Sequence, residues 1–129
     1  MQTFVGPHRV FPGRLSVSRT FGDIEAKLTS LNGNPNVVIA EPDIKAFRIK
    51  QDHDFIILAC DGIYDKLSSR DVIKMVWEAT LAQKVSSIHE LCGISVDSIM
   101  KGSIRRKTLD NITVVMIVFE SFKRKFFPS

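Results

Sequence analysis

Two cysteines in 129 residues, Cys60 and Cys92, leave no framework of paired spacings. That excludes a disulfide-stapled secreted scaffold and makes a reducing compartment, cytosol or nucleus, the expected location. His8, His53 and His89 are scattered, and no zinc-site spacing occurs. No apolar run approaches the roughly 20 residues of a membrane-spanning helix. The start, Met1-Gln2-Thr3-Phe4, lacks the basic and then apolar pattern of a signal peptide. There is no phosphate-cradling glycine loop with its lysine, no dinucleotide fingerprint and no nucleophile elbow. Ser16 and Ser18 have arginine neighbours and no evident histidine partner, so neither reads as a nucleophile. No internal repeat or low-complexity segment is present.

What remains is ordinary globular material, 44% hydrophobic and 25% charged, enough for one domain or part of one. Lys and Arg total 18 against 14 for Asp and Glu, and the mild excess gathers in Arg105-Arg106-Lys107 and Lys123-Arg124-Lys125. With Phe122, Phe126 and Phe127, the second cluster could face an anionic membrane or nucleic acid. A solvated, fraying terminus is the plainer reading. Neither nucleic acid nor membrane is therefore expected as a partner.

Read in order, Gly6-Pro7 and Pro12-Gly13 are turn signals, and Arg14 to Arg19 suits a short strand or the start of a helix. Leu31 to Asn36 is a loop. Val37 to Ala40 reads as a strand ended by Glu41-Pro42. Ile44 to Ile49 alternates with one slip in phase and predicts a hairpin with the run Phe55 to Cys60. Ser68 and Asp71 mark a helix start, and Val72, Ile73, Val76, Trp77 and Thr80 give that helix a buried face. A second helix is expected over 87–100, weakened by Gly93. Gly102 to Lys107 reads as a basic connection. In the last strand Ile112, Val114, Met116 and Val118 share one face and Val115, Ile117 and Phe119 the other. Both faces are apolar, which predicts a strand covered on both sides. The order implies an α+β or layered α/β/β/α architecture.

Two aspartates sit at the ends of apolar strands: Asp61 closes the run 55–60 and Asp110 precedes Ile112 to Phe119. If the strands pair antiparallel, both carboxylates lie at one sheet edge. Asp61-Gly62 and Asp110-Asn111 are each, taken singly, common turn chemistry: aspartate bonds its own backbone and glycine tolerates positive φ. Together they also read as ligands of one hard cation, Mg²⁺ or Mn²⁺. Both readings stand at this level.

Four segments in order carry a resemblance: Leu15-Ser16-Val17-Ser18-Arg19-Thr20-Phe21-Gly22-Asp23, Ala40-Glu41-Pro42-Asp43, Phe55 to Asp65, and Asp110 to Val115. They resemble the metal-dependent Ser/Thr protein phosphatases of type 2C. The first is similar to that family's L-A-V-S-R-A-F-G-D, the third to D-x-F-L-I-L-A-C-D-G-L-W-D and the last to D-N-I-T-V-V. The resemblance spans about residues 9–119. It implies an antiparallel β-sandwich flanked by helices in four layers, of which this chain holds the C-terminal portion. Residues 1–120 would be the C-terminal half of the catalytic domain and 121–129 a basic tail.

The resemblance further implies a dinuclear Mg²⁺ or Mn²⁺ centre, phosphoserine and phosphothreonine proteins as substrates, and a metal-activated water as the attacking group. By motif Asp61 and Asp110 would be metal ligands, with Arg19, Asp23, Gly62 and Asn111 in supporting positions. Tyr64 replaces a usual tryptophan, and Leu109 a commoner small or polar residue. The family's Glu-Asp and Asp-Gly-His-Gly-Gly motifs, with its phosphate-binding arginine and general-acid histidine, have no counterpart here, and His8 is no substitute. No catalytic residue is therefore assigned within the chain. The chain alone is expected to be inactive and to associate through exposed sheet edges. A non-catalytic, pseudophosphatase-like binding or regulatory module is the alternative.

Overall fold

The two apolar runs that end at the aspartates are strands, and they pair with each other. In the computed structural model, which describes residues 8–82 and 84–128, β1 (Phe55–Ala59) lies antiparallel to β2 (Val114–Val118). The register runs from Phe55 opposite Val118 to Ala59 opposite Val114. The turn signal at Gly6-Pro7 falls outside the described residues. The arrangement is α+β, and the described residues divide into two units, one up to Phe47 and one from Arg48.

In the second unit the pleat sorts the side chains. Phe55, Ile57, Ala59, Val114, Met116 and Val118 pack on the core, whereas Leu58, Val115 and Ile117 point away. The expectation that the last strand is covered on both sides is thus corrected. Val115 is 51% and Ile117 46% exposed. Within the second unit, among the described residues, the buried helix side chains pack on the inner face.

Four helices complete the unit: α2 (Asp61–Tyr64), α3 (Ser69–Ala82), α4 (Ile88–Arg105) and α5 (Glu120–Phe126), with α1 (Ile24–Lys27) in the first unit. At the start of α3, Ser68 Oγ accepts the Asp71 N–H at 3.1 Å, and the Asp71 carboxylate accepts the Ser68 N–H at 3.0 Å. This reciprocal pair is the capping box that the sequence predicts. Val72, Val76 and Thr80 are buried along α3, but Ile73 lies on the exposed side, and Met75 takes a place against the core instead.

Helix α4 is capped by Ser87, whose Oγ accepts the Glu90 N–H, while the Glu90 carboxylate accepts from Ser86. It passes through exposed Gly93 and runs on to Arg105, so the supposed connection at 102–107 is largely its last turn. The reason is burial: Gly102 and Ser103 are both enclosed, which favours helix over loop there. The end is a Schellman turn, with the Thr108 N–H donating to Ser103 O and the Lys107 N–H to Ile104 O. Lys107, at φ 59°, occupies the left-handed position that glycine usually fills.

The buried cluster is Ile63, Leu67, Val72, Val76, Leu91, Ile99 and Phe122. Each such side chain contributes about 1.5–3 kcal/mol on leaving water. Phe122 belongs to the segment expected to fray as a solvated basic tail, and that expectation is corrected. It is fully buried, its ring 5.2 Å from both Phe55 and Trp77 and 5.0 Å from Phe126. Aromatic spacing at 122 and 126 gives α5 an apolar side that outweighs its basic one. Ser121 and Lys125 both bind the Asp54 carboxylate, and the Lys125 ammonium lies 5.4 Å from the Trp77 ring centre.

The first unit holds little regular structure: α1 (Ile24–Lys27), a 3-10 turn at Thr29–Leu31, and single bridges joining Val10 to Leu15 and Arg19 to Ile39. The strand expected at 37–40 is reduced to that one bridge. Asn34 explains it, because its side chain accepts the Asn36 N–H and its carbonyl the Val37 N–H, bending the backbone into a turn. The predicted hairpin is also absent: residues 41–50 form no regular element, and β1 pairs with β2 instead. The phase slip denies 44–49 a single apolar face. The Lys50 N–H, moreover, is taken by His53 Nδ1 at 3.1 Å.

Candidate metal centre at one sheet edge

Antiparallel register continues past both strands and builds the site. The Cys60 N–H donates to Thr113 O at 3.3 Å, the Thr113 N–H to Cys60 Sγ at 3.2 Å, and the Cys60 thiol to Asn111 O at 3.2 Å. Cys60 is a half-buried free thiol that ties residue 60 to 111–113. Asp61 comes next on one side and Asp110 on the other. Both side chains are exposed, and both belong to the same edge of the sheet.

Asp61-Gly62 is not a left-handed turn. Asp61 opens α2, and Gly62 is the second helical residue, without a positive φ. Glycine is required there for space, since a Cβ would lie 2.1 Å from Asn111 O and 3.3 Å from Ile112 Cγ2. The bare backbone of α2 thus rests directly on the Asp110-Asn111 segment. The buried Gly62 carbonyl accepts two hydroxyls, Ser103 Oγ at 2.7 Å and Thr108 Oγ1 at 2.9 Å. Arg106 closes the far side by donating to Lys66 O at 2.8 Å and to Asp71 at 3.1 Å.

Each aspartate uses one oxygen to accept the N–H of the following residue: Asp61 Oδ1 from Gly62 at 3.0 Å, Asp110 Oδ1 from Asn111 at 2.8 Å. No salt bridge engages either carboxylate among the described residues. Their remaining lone pairs are hard oxygen donors, the chemistry that Mg²⁺ and Mn²⁺ favour. Among the described residues no group of three or more His, Cys, Asp and Glu side chains is gathered for a metal. The pair fits as part of a ligand set.

Of the supporting residues, Gly62 and Asn111 meet at this edge. Arg19 and Asp23 belong to the first unit. There the Arg19 guanidinium donates to Glu41 O at 2.8 Å and pairs with Asp43 at 3.1 Å, joining two of the motif segments. Asp23, at φ 50°, precedes α1, and its carbonyl accepts the Ala26 N–H. Sequence reasoning missed Ser103, Arg106 and Thr108. The readable signal was a pair of hydroxyl residues straddling a helix end, but without a glycine at 107 the end itself was concealed.

A model of the Protein phosphatase 2C family matches residues 3–112. The chain belongs to that family. Among similar proteins, "Probable protein phosphatase 2C 11" of Oryza sativa subsp. japonica is 36% identical over 110 residues, covering 84% of this chain and 30% of the relative. "Probable protein phosphatase 2C 25" of Arabidopsis thaliana is 34% identical, over 95% of this chain and 28% of its own length. "Protein phosphatase 2C homolog 3" of Schizosaccharomyces pombe is 33% identical, over 81% and 25%. The chain thus spans between about a quarter and two fifths of the length of the curated relatives that it matches. No helix among the described residues is long and apolar enough to cross a membrane.

Proposed function

We propose that these residues are the C-terminal part of a metal-dependent protein phosphatase domain that hydrolyses phosphoserine and phosphothreonine in protein substrates. The observation that supports this reading most is the placement of Asp61 and Asp110 at one sheet edge, with Gly62 seated on Asn111, within a stretch that matches the family. Asp61 and Asp110 would hold Mg²⁺ or Mn²⁺. When bound, such an ion supplies Lewis acidity and lowers the pKa of a coordinated water, the nucleophile for phosphorus.

The chain's own residues hold and aim the two carboxylates. Cys60 and Thr113 fix where each strand ends, and Gly62 lets the helix start approach residue 111. Residues 1–120 would form the C-terminal half of the catalytic domain, with 121–129 as its basic end. The four-layer sandwich would be completed by sequence outside these 129 residues. A second sheet would then cover the exposed Leu58, Val115 and Ile117. Without it, the open strand edges favour association between chains. The two free thiols suit a cytosolic or nuclear setting.

The test is complementation. The 129-residue chain, alone and together with an N-terminal phosphatase segment carrying the Asp-Gly-His-Gly-Gly motif, is assayed on a phosphothreonine peptide with Mn²⁺. The expected result is no turnover alone, turnover in the mixture, and its loss in Asp61→Asn and in Asp110→Asn. Robust turnover by the pure chain, abolished by Asp61→Asn, would overturn the claim of inactivity. Turnover in the mixture that both variants retain would overturn the ligand assignment. No turnover in a mixture that forms a stable complex would favour a non-catalytic module.

A further inference from the structure

The Gly62 carbonyl is an unusual point in the second unit. It sits one residue after Asp61, in the first turn of α2, and is buried. A helical carbonyl there would ordinarily accept the N–H four residues on, but the Lys66 N–H donates to Ile63 O instead. The Gly62 oxygen is served by two hydroxyls from 41 and 46 residues away in sequence, Ser103 and Thr108. Ser103 is fully buried and Thr108 half-buried. They lie at the two ends of one backbone hydrogen bond, Thr108 N–H to Ser103 O, within the Schellman turn that closes α4.

The turn therefore does two things at once. It clamps the residue after Asp61, and within two residues it delivers Asp110. The strand register fixes the same two segments from the other side, through Cys60 and Thr113. The 60–62 and 108–113 segments are thus pinned at both ends, with the two carboxylates between the pins. Such fixation lowers the cost of bringing two like-charged ligands to one ion, because their separation is set before binding.

We infer that Ser103 and Thr108 are positioning residues for the metal-binding pair, acting through the Gly62 carbonyl to hold Asp61 and Asp110 in a common arrangement. The inference rests on the reading of Asp61 and Asp110 as ligands. It predicts that removing the hydroxyls weakens metal binding more than it weakens the fold.

The experiment uses the full chain and hydrogen–deuterium exchange followed by mass spectrometry, with Mn²⁺ alone as the probe. In the metal-free protein, Ser103→Ala/Thr108→Val should speed exchange in peptides covering 60–66 and 108–113 while leaving 72–80 within α3 unchanged. On titration with Mn²⁺, wild type should gain protection in both site peptides, and the double variant should need roughly tenfold more ion. Thr108→Ser, which keeps the hydroxyl, should restore the wild-type midpoint in the otherwise unaltered chain, where Thr108→Val does not. Should the double variant lose protection along α3 as well, the single Thr108→Val, at a half-buried site, decides the matter. Site peptides that exchange alike in wild type and Thr108→Val, or an equal Mn²⁺ midpoint, would overturn the inference. Mn²⁺ protection that Asp61→Asn leaves intact, or no Mn²⁺ protection in wild type, overturns the ligand reading instead.

Discussion

The two units use their apolar residues in opposite ways. In the second, seven buried side chains from three helices and the Ile63–Leu67 segment pack under one sheet face, and aromatic rings interlock around Phe122. In the first, Ala26 and Val38 are buried, while Phe11, Phe21, Ile24, Ile44 and Phe47 are largely exposed. Composition does not separate them, since both carry large hydrophobic residues. The separation is periodicity. Residues 69–82 and 88–105 repeat apolar positions at helical intervals, so one face collects them all. Residues 8–47 place theirs between turn formers, so turn hydrogen bonds decide the backbone before a shared face can form.

The sharpest way to break this contrast is to empty the second core. Phe122→Ala should cost about 3–5 kcal/mol, read as a shifted urea midpoint of Trp77 fluorescence. Val38→Ala in the first unit should cost only about 1–2 kcal/mol, seen as faster amide exchange over residues 18–39. A loss at Val38 as large as that at Phe122, for far fewer atoms removed, would show that the first unit is the more tightly packed of the two. A gentler probe takes one left-handed non-glycine position from each unit. Lys107→Gly should raise stability by roughly 0.5–1 kcal/mol, because a Cβ is strained there and glycine is not. Asn32→Gly, at φ 62°, should change little, since asparagine tolerates that conformation. A destabilised Lys107→Gly would show that the lysine side chain contributes more than its backbone strain costs.

The smallest effect is electrostatic. A hydrogen bond from Arg106, and next those from Ser68, hold the Asp71 carboxyl at about 2 against its ordinary 3.8. A carboxylate depressed in the folded state stabilises the fold above its ordinary value, and that contribution fades as pH falls from 3.8 through about 2. Asp71→Asn should therefore flatten the acid limb of the urea midpoint plotted against pH. Exposure of Arg106 keeps the change small. Parallel acid limbs for the two proteins would rule out Asp71 as a contributor.

Much of the second unit was legible in the sequence. Ser68 and Asp71 announced α3, two β-rich runs announced the strands, and their antiparallel pairing set Asp61 and Asp110 at one edge. The misreadings share a physical cause, which is that local pattern is silent on tertiary partners. Val37 to Ala40 has strand propensity, but Asn34 competes for its backbone. Lys123-Arg124-Lys125 looks solvated until Phe122 finds Phe55 and Trp77. At the site, the Asp-Gly pair suggested a turn, whereas the glycine answers to a backbone lying far away in sequence. The hydroxyls of Ser103 and Thr108 were invisible because each binds a carbonyl more than 40 residues distant.

The contact between Gly62 and Asn111 bears on how this chain can vary. A backbone atom, unlike a side-chain tip, cannot swing aside for a new methyl group without moving the strand that carries it. A codon library at position 62, sorted for folded protein, should therefore return glycine almost alone, while one at exposed Gly93 should return many residues. Alanine recovered freely at 62 would mean that the 110–112 segment yields. A narrow outcome would make that codon a sensor of whether the second strand is seated.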